Sequence, residues 1–165
     1  MKIVTVVGSK KGGKTTVVCE LVRQLKASGH KVANVKLMER ARGIDITDTE
    51  TDLHRRAGAD IAIASGTCET AILKNVERRE SLREILGYIP REIDFVVCEG
   101  VADQDLPRIV AVRNLSDADA YINERTLAIS GIVAAETLNH VLPVIDATRD
   151  PEKLADLVRS LPEEN

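Results

Sequence analysis

Short runs of β-branched and aliphatic residues alternate along this chain with stretches whose apolar positions recur every three or four residues. Ile3 to Val7 is a continuous apolar run, the pattern of a strand covered on both faces in a parallel sheet. From Lys14 to Ser28, Val18, Leu21, Val22 and Leu25 share one helical face, and Gly29 follows where a left-handed residue closes a helix. A second strand is predicted over Val32 to Leu37, then a charged loop rich in Thr and Asp over 38–50. Thr51 to Gly58 has room for a turn or two of helix. Extended stretches at Asp60 to Ala64 and Glu69 to Val76 have no helix between them and can pair as a hairpin.

Helical spacing returns at Ser81 to Tyr88 through Leu82, Ile85 and Leu86. Ile93 to Cys98 is the second strongly apolar strand, and Arg108 to Val112, Leu127 to Val133 and Val141 to Ile145 read as further strands. A closing helix begins near Pro151 and turns Leu154, Leu157, Val158 and Leu161 inward. The alternation of strands and helices predicts a three-layer α/β fold around a mostly parallel sheet. At 165 residues the chain fits one domain, 1–165, with a well-buried core.

Composition narrows the chemistry. With no Trp, one Phe and two Tyr, the core is aliphatic and stacking of nucleic-acid bases on aromatic platforms is excluded as the main activity. The net charge of -3 gives no general attraction to nucleic acid or to anionic lipid, so neither is expected as a partner. Cys19, Cys68 and Cys98 form no CxxC pair and read as buried, inert thiols. No apolar run reaches the length of a membrane span. The first strand starts at Lys2, which leaves no room for a signal peptide, and a cytoplasmic location is expected.

One motif stands above this background. Gly8-Ser9-Lys10-Lys11-Gly12-Gly13-Lys14-Thr15 fills every fixed position of the phosphate-binding loop, Gly-x-x-x-x-Gly-Lys-Thr, between a predicted strand and a predicted helix. The glycines let the backbone curl so that successive amides converge on anionic oxygens, and the helix that follows adds its own amides and the positive end of its dipole. Lys14 brings a mobile cation to the β and γ phosphates, the Thr15 hydroxyl ligates magnesium, and Lys10 and Lys11 add positive potential. With Thr16, this segment is the predicted nucleoside triphosphate site of a P-loop NTPase fold.

Such a site takes its second magnesium-side group from an acidic residue closing another strand. Ile93-Asp94-Phe95-Val96-Val97-Cys98-Glu99-Gly100 supplies it. Glu99 ends the apolar run, and its carboxylate would hold magnesium directly or through water. Asp94 opens the same strand and belongs to the opposite end of the sheet. Asp45, Asp48, Glu50 and Asp52 crowd the loop after the second strand, where one of them could orient water or complete the magnesium shell, although an acidic run also reads as a solvated loop. Arg55 and Arg56 are open to the same two readings, phosphate contact or solvent-facing turn. His30 and His140 read as surface residues flanking strands.

Taken in order, five stretches resemble the family of molybdopterin-guanine dinucleotide biosynthesis protein B, and they spread over nearly the whole chain. They are Val6-Val7-Gly8 through Thr15-Thr16; Ile44-Asp45; Thr51 to Ala59, with His54-Arg55-Arg56-Ala57-Gly58-Ala59; Phe95 to Gly100; and Asp103 to Arg113, with Leu106-Pro107-Arg108-Ile109 and Val112-Arg113. The resemblance implies GTP as the nucleotide with Mg2+, weak GTP hydrolysis, and a homodimer. It further implies a partner role beside the guanylyltransferase that attaches GMP to molybdopterin, or beside a molybdoenzyme. It makes Asp45 the candidate for orienting water, alongside Lys14 and Glu99. Two departures stand out. Leu37-Met38-Glu39-Arg40 replaces a His-rich cluster usual in the family, and Glu50 sits where Asp is favoured. The chain also lacks an Asn-Lys-x-Asp guanine motif, so guanine preference rests on the resemblance alone.

Two other classes share the loop. One is an ATP-dependent P-loop ligase or kinase similar to dethiobiotin synthetase, which also ends a strand in Glu-Gly; a chain of 165 residues leaves it little room for a separate acid-substrate pocket. The other is a metallochaperone GTPase, which would normally offer Cys or His ligands in a set this sequence lacks.

Overall fold

The computed structural model describes residues 1–38, 49–100, 105–132 and 141–163. The chain divides into two compact units, Met1–Met38 with Ile85–Asn165, and Glu39–Glu84.

The larger unit is built on β1, Lys2–Gly8, which is the middle strand of a five-stranded sheet. On one side β1 pairs in parallel with β5, Phe95–Glu99, which pairs in parallel with β2, Val32–Lys36. On the other side it pairs with β6, Arg108–Val112, and β6 with β7, Thr126–Gly131, again in parallel. The continuous apolar runs are the inner strands: Ile3 to Val7 and all of β5 and β6 are buried. β2 is at the sheet edge and is only partly covered, which explains its weaker apolar pattern.

Two helices cover one face of the sheet. In α1, Lys14–Ala27, the residues Val17, Val18, Leu21 and Leu25 are buried. In α4, Pro151–Arg159, Leu154, Ala155 and Val158 are buried, and Leu157 and Leu161 pack at the margin. With Val4, Val6, Val97 and Ile109 they form the main core. Leu21, Leu25 and Leu154 have no solvent exposure, and truncating any one to Ala would cost about 2–5 kcal/mol. Across the sheet, Val7, Val110, Val112 and Ile129 pack with Ala118 of a 3-10 helix, Leu115–Ala120. Gly29 closes α1 with φ of 85°, as the sequence predicts, and the His30 amide returns to the Leu25 carbonyl at 3.1 Å.

Several expectations are corrected. The strand over Val141 to Ile145 contracts to one parallel bridge between Val144 and Ile129, because Pro143 has no amide to extend a ladder. Val141 is fully exposed. The helix over Ser81 to Tyr88 shortens to α3, Leu82–Leu86. Its start is fixed by a reciprocal cap in which Ser81 and Glu84 exchange hydrogen bonds of 2.8 and 3.3 Å. After α3 the chain tightens into turns at Tyr88 and Ile89 before Pro90. Of the three thiols only Cys98 is buried; Cys19 and Cys68 are exposed. Cys19 lies on the outer side of α1, away from the Val18, Leu21 and Leu25 face, so helical phase outweighs the usual tendency of cysteine to be interior. His30 is half-buried and sets its ring edge against Phe95 at 4.9 Å.

In the smaller unit, α2, Glu50–Arg56, packs on an antiparallel hairpin of β3, Ile61–Ser65, and β4, Thr70–Lys74. Thr49 caps α2 by accepting the Asp52 amide. Ala62 and its pairing partner Leu73 are buried, whereas Ile61, Ile63 and Ile72 point the other way and are 52%, 63% and 63% exposed. The alternation of a strand with one covered face is therefore present, but the uncovered face is apolar.

Candidate functional site

Between β1 and α1 the chain adopts a conformation that few sequences tolerate. Gly8 and Gly13 have φ of 135° and 90°, and Lys11 is left-handed at 62°. The loop also lies directly on the ends of its neighbouring strands. A Cβ on Gly8 would come within 1.9 Å of the Ala111 carbonyl oxygen, and one on Gly12 within 2.5 Å of the same atom. The Gly12 amide turns back to the Ser9 carbonyl at 3.1 Å. The motif glycines are thus required by close backbone approach as well as by φ.

The end of β7 completes the seat, a feature that sequence reasoning missed. The Ile132 amide lies 3.3 Å from the Gly12 carbonyl and 3.1 Å from the Val112 carbonyl, and donates to both. Gly131 (φ 106°) has no room for a side chain, since its Cβ would fall 2.1 Å from the Gly12 oxygen. Nothing in the sequence at Ser130-Gly131-Ile132 signals this contact, which depends on β7 lying two strands away from β1.

The charge around the loop favours an anion. α1 starts with no acidic residue in its first turn, so its N-terminal amides and the positive end of its dipole are uncompensated. Lys14 is half-buried and folds over the loop, donating to the Gly8 and Ser9 carbonyls at 3.1 and 2.8 Å. Lys10 and Lys11 are exposed at its crest, and Thr15 and Thr16 are exposed on the first turn of α1. These features fit a polyphosphate, which the glycine backbone could approach without side chains intervening.

Parallel pairing of β5 with β1 brings Glu99 opposite Val6, one strand from the loop. The Thr15 hydroxyl donates to Glu99 Oε1 at 3.1 Å. Gly100 makes the departure from the strand possible: φ is 78°, and a Cβ would come within 2.7 Å of the Leu37 carbonyl oxygen. A hydroxyl and a carboxylate oxygen at this separation can both reach one small, hard cation that prefers oxygen, so the donors present fit magnesium. Lys36 joins them. It ends β2 in register with Glu99, and its Nζ is 3.8 Å from the same Oε1. This contact too was invisible in the sequence, because it needs the β2–β5 register.

The other candidates are distributed as follows. Asp45 and Asp48 lie outside the described residues, as do Glu39, Arg40 and His140. Glu50 is exposed at the start of α2. Asp52 is buried and accepts from Arg55 Nε at 3.2 Å and Nη2 at 2.5 Å, while Arg56 Nε lies 2.8 Å from its other oxygen. The hydrogen bonds from Arg55, aided by the charge of Arg56, hold the Asp52 carboxyl below the ordinary carboxylate value despite its burial. Both arginines are thus engaged by Asp52, and Arg55 also donates to Asn75. Asp94 sits at the opposite end of β5 from Glu99, accepting the Lys31 amide at 2.8 Å beside His30. Among the described residues no group of three or more His, Cys, Asp and Glu side chains is placed to hold a metal ion, and no helix is long and apolar enough to cross a membrane.

Comparison with known proteins gives a consistent result. The model of the family described as molybdopterin guanine dinucleotide synthesis protein B matches residues 3–135. A putative molybdopterin-guanine dinucleotide biosynthesis adapter protein of Methanocaldococcus jannaschii is 29% identical over 133 residues, 78% of this chain. The chain spans about half the length of that relative, 54%. Among solved structures, Bacillus subtilis MobB superposes with a TM-score of 0.81 at 24% identity, over 99% of this chain and 100% of that one. A MobB protein homolog from Bacillus stearothermophilus superposes with a TM-score of 0.73 at 23% identity, over 98% and 100% of the two chains. At such identities the two structures speak for the fold.

Proposed function

Since the chain belongs to the molybdopterin guanine dinucleotide synthesis protein B family, we propose that it is an adapter protein of molybdenum cofactor biosynthesis that binds GTP with Mg2+ at the loop from Gly8 to Thr16. The observation that carries the nucleotide site is the meeting of a glycine cradle with the Thr15–Glu99 pair, 3.1 Å apart. Backbone amides of the loop and of the first turn of α1 receive the phosphates. Lys14 exchanges its bonds to the Gly8 and Ser9 carbonyls for bonds to the β and γ phosphates. Thr15 and Glu99 would hold the magnesium, which when bound would neutralise negative charge on the phosphates.

Hydrolysis by the isolated chain is slow on this reading. Arg55 and Arg56 are occupied by Asp52 within their own unit, and an arginine finger alone is worth about 10³–10⁵ in rate. The output appears when the nucleotide-bound protein docks with a molybdopterin guanylyltransferase or a molybdoenzyme. The whole chain acts as one functional domain in the cytoplasm. It acts as a homodimer, and the Ile61, Ile63 and Ile72 face of the hairpin supports the pairing: an uncovered apolar sheet face gains about 25 cal/mol for each Å2 removed from water. Ile63→Asp should yield a monomer by ultracentrifugation, and an unchanged oligomer would remove this face from the interface.

Titration with GTP and ATP, with magnesium, tests the central reading. GTP should bind more tightly than ATP, and Lys14→Ala should weaken GTP at least about tenfold, each charge-assisted bond being worth about 1.5–3 kcal/mol. Wild-type affinity in a folded Lys14→Ala variant would refute the phosphate site. Steady-state turnover near about 10 s⁻¹ would put the ligase or kinase class first.

A further inference from the structure

Glu99 is approached from two sides at a single oxygen. Thr15 donates to Oε1 from the helix, and the Lys36 ammonium lies 3.8 Å from the same atom at the end of the neighbouring strand. The strand register enforces this arrangement. In a parallel pair, residues opposite one another project from the same face of the sheet, and Lys36 is opposite Glu99. Leu37 continues the pairing by donating its amide to the Glu99 carbonyl at 3.0 Å, so the end of β2 cannot swing away without losing a ladder bond. The Glu99 side chain is only 11% exposed, whereas that of Lys36 is 54% exposed. The carboxylate is thus fixed and the ammonium is a tethered, partly hydrated charge that can leave it.

We propose that Lys36 is a positioning residue, an internal counter-ion that competes with the divalent cation for Glu99 and so sets the magnesium concentration at which the phosphate site engages its nucleotide. The inference rests on the nucleotide reading given above. With no divalent cation, Lys36 neutralises Glu99 and reduces its repulsion of an incoming triphosphate. With one, the ammonium must yield Oε1, and its positive charge nearby opposes the cation further. Both effects have the same sign. Removing the charge should make the site respond to less magnesium.

The sign separates this role from a structural one. Damage to the β2 edge would weaken nucleotide binding and raise the magnesium requirement; loss of the counter-ion lowers it. The experiment is fluorescence-detected GTP binding by the full chain across a magnesium series at constant ionic strength, for wild type, Lys36→Met and Lys36→Arg. Constant ionic strength matters because an exposed charge is screened within about 10 Å at 0.1 M salt. Lys36→Met should lower the half-effective magnesium concentration by about two- to fivefold, the range expected for a partly exposed pair. It should also weaken GTP binding in EDTA, while Lys36→Arg retains the wild-type half-effective concentration. An unchanged or raised half-effective concentration in Lys36→Met, with wild-type binding dependent on magnesium, overturns the role of Lys36 and leaves the nucleotide site standing. A wild-type protein that binds no GTP at any magnesium concentration overturns both.

Discussion

Replacing Gly131 by Ala should damage the phosphate loop from two strands away. Two costs add at this position. At φ of 106° an L-residue is strained, a penalty of about 1–2 kcal/mol. The new methyl would also lie 2.1 Å from the Gly12 oxygen and 2.7 and 2.8 Å from the Val112 carbonyl oxygen and amide nitrogen. All three are backbone atoms, so the overlap is relieved only by moving the loop or the end of β6. Overpacking of this kind costs about 1–3 kcal/mol, giving about 2–5 kcal/mol together. Gly29→Ala is the matched control: φ is 85°, and its Cβ would meet nothing within 4 Å, so only the backbone term of about 1–2 kcal/mol applies. Urea unfolding of the two variants should therefore differ by about 1–3 kcal/mol, or roughly 2–12 °C in Tm for a chain of this size. GTP affinity should fall in Gly131→Ala and hold in Gly29→Ala. Equal losses of stability in both, with GTP binding untouched, would refute the claim that the end of β7 seats the loop.

Three further outcomes follow from the site and the core. Glu99→Gln keeps the shape of the side chain and removes the charge that faces the cation, so magnesium-dependent GTP binding should weaken while binding in EDTA changes less; equal magnesium dependence in both proteins would relegate Glu99 to a structural strand end. Burial pushes the Cys98 thiol up to about 12, whereas Cys19 and Cys68 are exposed, so a thiol reagent near pH 8 should modify two groups per folded chain and a third only after unfolding; three fast thiols in the native protein would contradict the packing of β5. The Asp52 carboxyl is held below its ordinary value of 3.8, chiefly by hydrogen bonds from Arg55, so its contribution to the smaller unit is fully present above that value and is lost as pH falls through the lower folded-state value. The protection of the α2 amides, taken relative to the intrinsic exchange rate at each pH, should fall through that acid range in the wild type and stay level in Asp52→Asn; parallel protection profiles would dismiss Asp52 as the cause.

Much of this protein is legible in its sequence because local rules acted on local patterns. The runs at Ile3 to Val7 and Phe95 to Cys98 have the composition of strands buried on both faces, and they are the inner strands of the sheet. Helical spacing located the buried faces of α1 and α4, and Gly29 marked where α1 stops. The phosphate loop was readable because its chemistry needs glycines, a lysine and a hydroxyl at fixed offsets along a single segment. Where a pattern was short or depended on distant pairing, it failed. Val141 to Ile145 has the residues of a strand but only a single bridge, and Cys19 follows the phase of its helix to the surface. The tertiary structure alone added Lys36 to the Thr15 and Glu99 that the motifs had already assigned to the site. The three converge because parallel register aligns the ends of β2 and β5 beside the start of α1. Gly131 and Ile132 support Gly12 for the same reason: strand order, which no local pattern encodes, sets the end of β7 against the loop.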